Sequence, residues 1–167
     1  ITGTRASASD YSADLAGYRY LQLRLEDNQD IERVAAALPR LDILVNNAGG
    51  NFAAQNEYEP EIFERSVRVN LLSAYRMAHA CRPKLAGSRL RGGASIVGIA
   101  SMTSYLAVEV VTGYREAKGG QALRQGLAQP CIAQGVAIAH KAVAQGLAAA
   151  GLAHGRLGNL HIIAHPP

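Results

Sequence analysis

Cysteine is scarce in this chain of 167 residues: Cys81 and Cys131 are the only two. Two cysteines so far apart make neither a disulfide framework nor a metal-binding cluster, and a reduced, cytoplasmic setting is expected. The five histidines show no spacing that would hold a metal; His161 and His165 are four apart, but Pro166 follows and no third ligand is near. No apolar run approaches the ~20 residues of a membrane span, so no membrane role is expected. Tryptophan is absent, phenylalanine occurs twice, and no aromatic residue follows Tyr114. Acidic residues stop at Glu116. Residues 1–116 are neutral, and the net charge of +4 comes from Lys118, Arg124, Lys141 and Arg156. Four scattered cations with no aromatic between them are a poor nucleic-acid surface, so no nucleic-acid partner is expected. Charged residues are 18% and apolar residues 49%, which excludes a disordered chain as a whole.

What is present alternates. Tyr18 to Leu25 has the period-two pattern of a strand. Asp27-Asn28 offers an N-cap, and Ile31, Val34, Ala35 and Leu38 follow at helical spacing up to Pro39. Leu41 to Val45 reads as a buried strand entering the loop Asn46-Asn47-Ala48-Gly49-Gly50. Pro60-Glu61 opens a helix that runs to about Leu85. Ala94 to Ile99 is a second buried strand, and another helix begins near Thr112. Strand, helix, strand, helix, strand is the pattern of a parallel sheet with helices on its faces, an α/β fold. From Gly119 onward about half the residues are Ala, Gly or Gln. Pro130 cuts the helix before it, Val136 to Ile138 could form a strand, and Ala142 to Ala150 a weak helix. This gives a domain over residues 1–120 and an Ala/Gly/Gln-rich tail over 121–167, poorly ordered or read out of frame.

Three features carry chemistry. The first is the strand end Asn46-Asn47-Ala48-Gly49; in an open parallel sheet, ligands sit beyond the carboxyl ends of the strands. The second is Asn70, which shares the apolar stripe of Phe63, Val67, Ala74, Ala78 and Cys81. An amide there needs hydrogen-bond partners, structural or functional. The third is Ser101, just past the second buried strand, with Tyr114 and Lys118 four apart on one helix face. A phenol is a poor acid or base at neutral pH, and a neighbouring ammonium favours its ionised form. With a serine hydroxyl to hold an oxygen, this is a proton-transfer unit for a carbonyl or an alcohol.

Together these features resemble the classical short-chain dehydrogenase/reductase family. The segments DILVNNAG, RVNLLSAYR around Asn70 and GASIVGIAS before Ser101 are similar to that family over about residues 1–120. The resemblance implies a Rossmann-like, doubly wound parallel sheet and an NAD(P)-dependent enzyme that interconverts a small-molecule alcohol and carbonyl by hydride transfer. It implies Tyr114 as the acid/base, Lys118 as its electrostatic partner and ribose ligand, Ser101 as the group that orients the carbonyl, and Asn70 as support for a proton relay. Asn47, Ala48 and Gly49 would lie along the cofactor with Tyr114 and Lys118, and Leu25 would flank the adenine. A homo-oligomer is also implied.

The family's Gly-rich phosphate turn does not appear as such. Residues 2–9 could be that turn with serines in place of glycines. Alternatively, Ile1 to Arg5 could end the family's second strand, with the first strand and helix absent; the short distance from Gly3 to Asn46 favours the second reading. Arg5 would then lie near the adenosine ribose, where a guanidinium suits a 2′-phosphate, leaning the cofactor from NAD toward NADP. The alternative to an enzyme is a catalytically silent fragment of the family that acts only through subunit or partner association. The loop after Gly50 and residues 102–111 would line the substrate region, with Phe52, Met102, Tyr105, Leu106 and Val108 making it tolerant of apolar groups.

Overall fold

In the computed structural model, residues 1–127 and 162–164 are described. The expectations for residues 130–150 and for the C-terminal histidines lie outside them. Strand β1 (Thr2–Gly3) pairs in parallel with β2 (Leu21–Gln22), Thr2 opposite Leu21. Helix α1 (Asn28–Ala37) follows, and β3 (Ile43–Asn46) pairs in parallel with β4 (Ser95–Gly98), Ile43 opposite Ser95. Between those strands lie α2 (Pro60–Val67) and α3 (Ser73–Ala86), joined without a break by a wider π turn, Arg68–Leu72. Helix α4 (Thr112–Leu127) follows β4 and runs past the expected boundary at residue 120. Strand β5 (Ile162–Ala164) lies antiparallel on β3, Ile43 opposite Ala164. The β1–β2 pair and the β4-β3-β5 ladder are separate sheets.

Local chemistry explains most of these elements. Asp27 caps α1, its side chain accepting the Gln29 N–H at 2.8 Å, and Leu38 and Pro39 end it. Pro60 opens α2 at a position where its missing N–H costs nothing. Asp42 starts β3 from full burial, accepting from Arg40 Nε at 2.7 Å and from the Ser88 hydroxyl at 2.6 Å. Leu23, Ile31, Val34, Leu41, Leu44, Met77, Cys81 and Leu85 form one buried cluster. That cluster joins the residue after β2 to β3, α1 and α3, so apolar packing holds the two sheets together where hydrogen bonds do not.

The strand at Tyr18 to Leu25 is shorter than its alternation predicts. It keeps two ladder residues, extended by Leu21 N–H to Ile1 O at 2.9 Å and Leu23 N–H to Gly3 O at 2.8 Å, because its partner is equally short. Between β1 and β2 the only helical turn is Ala8–Asp10. A phosphate turn needs a helix N-terminus behind it. Three residues do not supply one, so Thr2-Gly3 is a strand end, as the second reading of this segment has it.

Candidate active site

The loop leaving β3 carries Asn47, Ala48, Gly49 and Gly50, and Asn70 fixes it. Asn70 is 1% exposed and sits in the π turn, which projects its amide toward the loop. Its Oδ1 accepts the Gly50 N–H at 3.0 Å, and its Nδ2 donates to Gly50 O at 2.8 Å and Ser66 O at 2.9 Å. The expected demand for partners at this position is thus met by loop backbone. Gly49 is required by the same contact: a Cβ there would collide with Asn70 Oδ1.

Helix α4 carries Tyr114 and Lys118 to the same end of the sheet. The Lys118 ammonium is buried and donates to Ile99 O at 2.8 Å and to Gln121 Oε1 at 3.4 Å. Gln121 in turn donates to Asn46 O at 3.4 Å, which ties α4 to the end of β3. Burial pushes Lys118 down to about 8 from an ordinary value of 10.5, so it remains mostly protonated at neutral pH. Its Nζ lies 5.8 Å from the Tyr114 ring centroid.

A cavity of about 300 Å³ is lined by Asn47, Gly49, Tyr114 and Lys118, among others. A larger one of about 480 Å³ is lined by Gly3, Leu25, Ala48 and Arg24, among others. Both include Gly50 and Asn51 in their walls, so the two lobes meet at the Asn70-fixed loop. Arg65 stands at the larger lobe, bonded to Glu26 at 2.8 Å and stacked 4.6 Å from the Phe52 ring centroid.

Three expected site residues are absent from both linings: Asn70, which stands behind the loop it fixes, Ser101 and Arg5. Ser101 caps the short turn Met102–Ser104, its hydroxyl accepting the Thr103 N–H at 3.3 Å. Arg5 is exposed, donates to Asp10 O and lies 4.9 Å from the Tyr11 ring centroid. One residue near the site had no place in the sequence reading. Glu57 is fully buried, and its carboxylate accepts the Phe52 N–H at 2.5 Å and the Tyr114 N–H at 2.7 Å. The signal that points to it is indirect: α4 begins after Val111, which has no side chain able to cap a helix. Among the described residues no group of His, Cys, Asp and Glu could hold a metal, and no helix is long and apolar enough to cross a membrane.

The sequence profile of the family described as short chain dehydrogenase matches residues 8–156. An acetoacetyl-CoA reductase of Rhizobium meliloti (strain 1021) is 36% identical over 110 residues, covering 65% of this chain and 44% of its own length. A 3-beta-hydroxysteroid dehydrogenase of Comamonas testosteroni is 33% identical over 141 residues, covering 80% of this chain and 54% of its own. The solved structure of a short-chain dehydrogenase from Streptomyces avermitilis superposes with a TM-score of 0.60 at 28% identity, covering 76% of this chain and 49% of that one. The chain spans about half the length of the relatives it matches.

Proposed function

The chain belongs to the short-chain dehydrogenase family, and from that premise we propose that it is an NAD(P)-dependent oxidoreductase interconverting a small-molecule alcohol and its carbonyl. The observation that carries this reading is the joint placement of Asn47, Gly49, Tyr114 and Lys118 on one cavity. A dinucleotide has two halves and a narrow middle, and the two lobes meeting at Gly50 and Asn51 suit that shape. Gly49 leaves no side chain between loop and ligand. Leu25 and Ala48 would border the adenosine half, and Asn47, Gly49, Tyr114 and Lys118 the nicotinamide half. Arg24 in the larger lobe suits a 2′-phosphate, so NADP(H) is the preferred nucleotide.

A bound nicotinamide nucleotide supplies or takes up the hydride. Tyr114 gives or takes the proton at the substrate oxygen. Lys118 lends positive charge beside the oxygen on which negative charge develops, and Ile99 O and Gln121 hold that ammonium in place. Asn70 keeps the loop in register behind both; Ser101 would orient the substrate carbonyl once its hydroxyl turns from the Thr103 N–H toward the cavity. The exposed Met102, Tyr105 and Leu106 favour a substrate with apolar surface. Exposed Leu72 and Tyr75, just beyond Asn70, support association of two copies.

The test is a fluorescence titration of NADPH, and separately NADH, against the purified chain; no tryptophan obscures the nicotinamide emission. Saturable binding, tighter for NADPH, is expected. Tyr114→Phe should keep that binding and lower turnover of carbonyl substrates by about 100-fold or more. A folded chain that binds neither nucleotide defeats the reading. It would favour the second one, a silent family fragment acting through association, which the separation of β1–β2 from the β3 sheet supports.

A further inference from the structure

Glu57 is 0% exposed in the loop between β3 and α2, and the roles proposed above do not use it. Its two carboxylate oxygens accept two backbone N–H groups, Phe52 at 2.5 Å and Tyr114 at 2.7 Å. Its own carbonyl accepts the Thr112 hydroxyl at 2.9 Å. One buried side chain therefore joins the loop that walls both cavities to the first turn of the helix bearing Tyr114. The first N–H groups of a helix have no partner within it. Val111, which precedes Thr112, cannot supply one. A carboxylate at this end is also favoured by the helix dipole. The opposite side of the same turn rests on α2: a Cβ on Gly113 would lie 2.9 Å from Ser66 Cβ and 3.0 Å from Phe63 O. The turn is held between α2 and Glu57.

We infer that Glu57 is a positioning residue for Tyr114, capping α4 from a loop far away in sequence and so setting where the phenol stands in the cavity. The inference rests on the oxidoreductase reading for its kinetic consequence, though not for its geometry. Glu57→Gln is the informative change. An amide has one accepting oxygen, so it can satisfy one of the two N–H groups and sets an N–H against the other.

The experiment uses the full chain with 13Cζ-labelled tyrosine, the Tyr114 signal being identified by its loss in Tyr114→Phe. In Glu57→Gln the Tyr114 signal should move while those of Tyr11, Tyr18 and Tyr20, beside the other sheet, stay. NADPH affinity and KM should hold within about twofold while kcat falls by up to about 100-fold, the penalty of a misplaced group rather than of lost binding. An unmoved Tyr114 signal, or affinity and kcat falling in parallel, overturns the inference. If Glu57→Gln does not fold, Thr112→Val removes only the hydroxyl bond to the Glu57 carbonyl. It should move the same signal by less with the melting curve retained, and no movement overturns the inference. If the unaltered chain turns over no carbonyl substrate, the proposed activity fails while the Tyr114 signal still decides the role of Glu57.

Discussion

Burying the Lys118 ammonium carries a cost, and a pH dependence follows from it. The residue is 3% exposed, and its value falls from 10.5 to about 8 by desolvation. Below about pH 8 both folded and unfolded chains hold the proton, and the folded state carries the full penalty, about 3 kcal/mol. Between about 8 and 10.5 the unfolded chain binds more protons than the folded one, so this contribution makes stability rise with pH. Lys118→Met carries no such penalty. The variant's stability relative to the unaltered chain should therefore drop by about 3 kcal/mol between pH 7 and pH 10.5. Denaturant melts of both proteins at the two pH values measure this, and a pH-independent difference would refute it. Gly49 and Asn70 make a second residue-scale test. Gly49→Ala drives a methyl into Asn70 Oδ1 and should cost about 1–3 kcal/mol. Made in an Asn70→Ala background it should cost much less, because the oxygen it strikes is gone. Equal costs in the two backgrounds would mean that the crowding lies elsewhere.

Among the elements, α4 departs most from local rules. Val110, just before its start, is a β-branched residue at φ 63°, a region that costs an L-residue about 1–2 kcal/mol. Its side chain is 53% exposed and gives little packing in return. Val110→Gly should therefore raise stability by about 1 kcal/mol in thermal melts, after allowing for the greater freedom of glycine when unfolded. A loss of stability would show that Val110 holds the segment in place. Elements written in short-range patterns were legible in the sequence. Asp27 and Pro39 bracket α1 within two residues, and the run from Leu41 holds β3. Tyr114 and Lys118 fall on one cavity because positions four apart share a helix face. Devices that depend on a distant partner were not legible. Glu57 sits among Asn56, Tyr58 and Glu59 and reads as one more exposed loop residue; only the fold brings the Tyr114 N–H to it. The strain at Val110 has no sequence signal either, since valine gives no hint of positive φ. The π turn at Asn70 was likewise hidden inside a continuous helical pattern.

For the whole molecule the question is what unites two sheets that share no ladder. It is the cluster in which Leu23, just past β2, joins Leu44 of β3 through Ile31 and Val34 of α1 and Met77 and Cys81 of α3. Leu44 is 0% exposed, and each such side chain contributes about 1.5–3 kcal/mol by leaving water. The β1–β2 pair depends on that contact: its strands have two residues each, far too little for an independent unit. Unfolding should therefore be cooperative across both sheets. Tyr20 reports on the β1–β2 side, where its hydroxyl bonds to Arg5 O, and Tyr114 reports on the β3–β4 side. In a denaturant titration followed by 13Cζ-tyrosine signals, the two should lose their native positions at one midpoint. Leu44→Ala should lower that midpoint for both together, by an amount equivalent to about 2–5 kcal/mol. If Tyr20 melted first and Leu44→Ala moved Tyr114 alone, β1–β2 would be a weakly attached flap. The larger cavity, whose wall runs from Gly3 and Leu25 to Ala48, would then form only when ligand closes it.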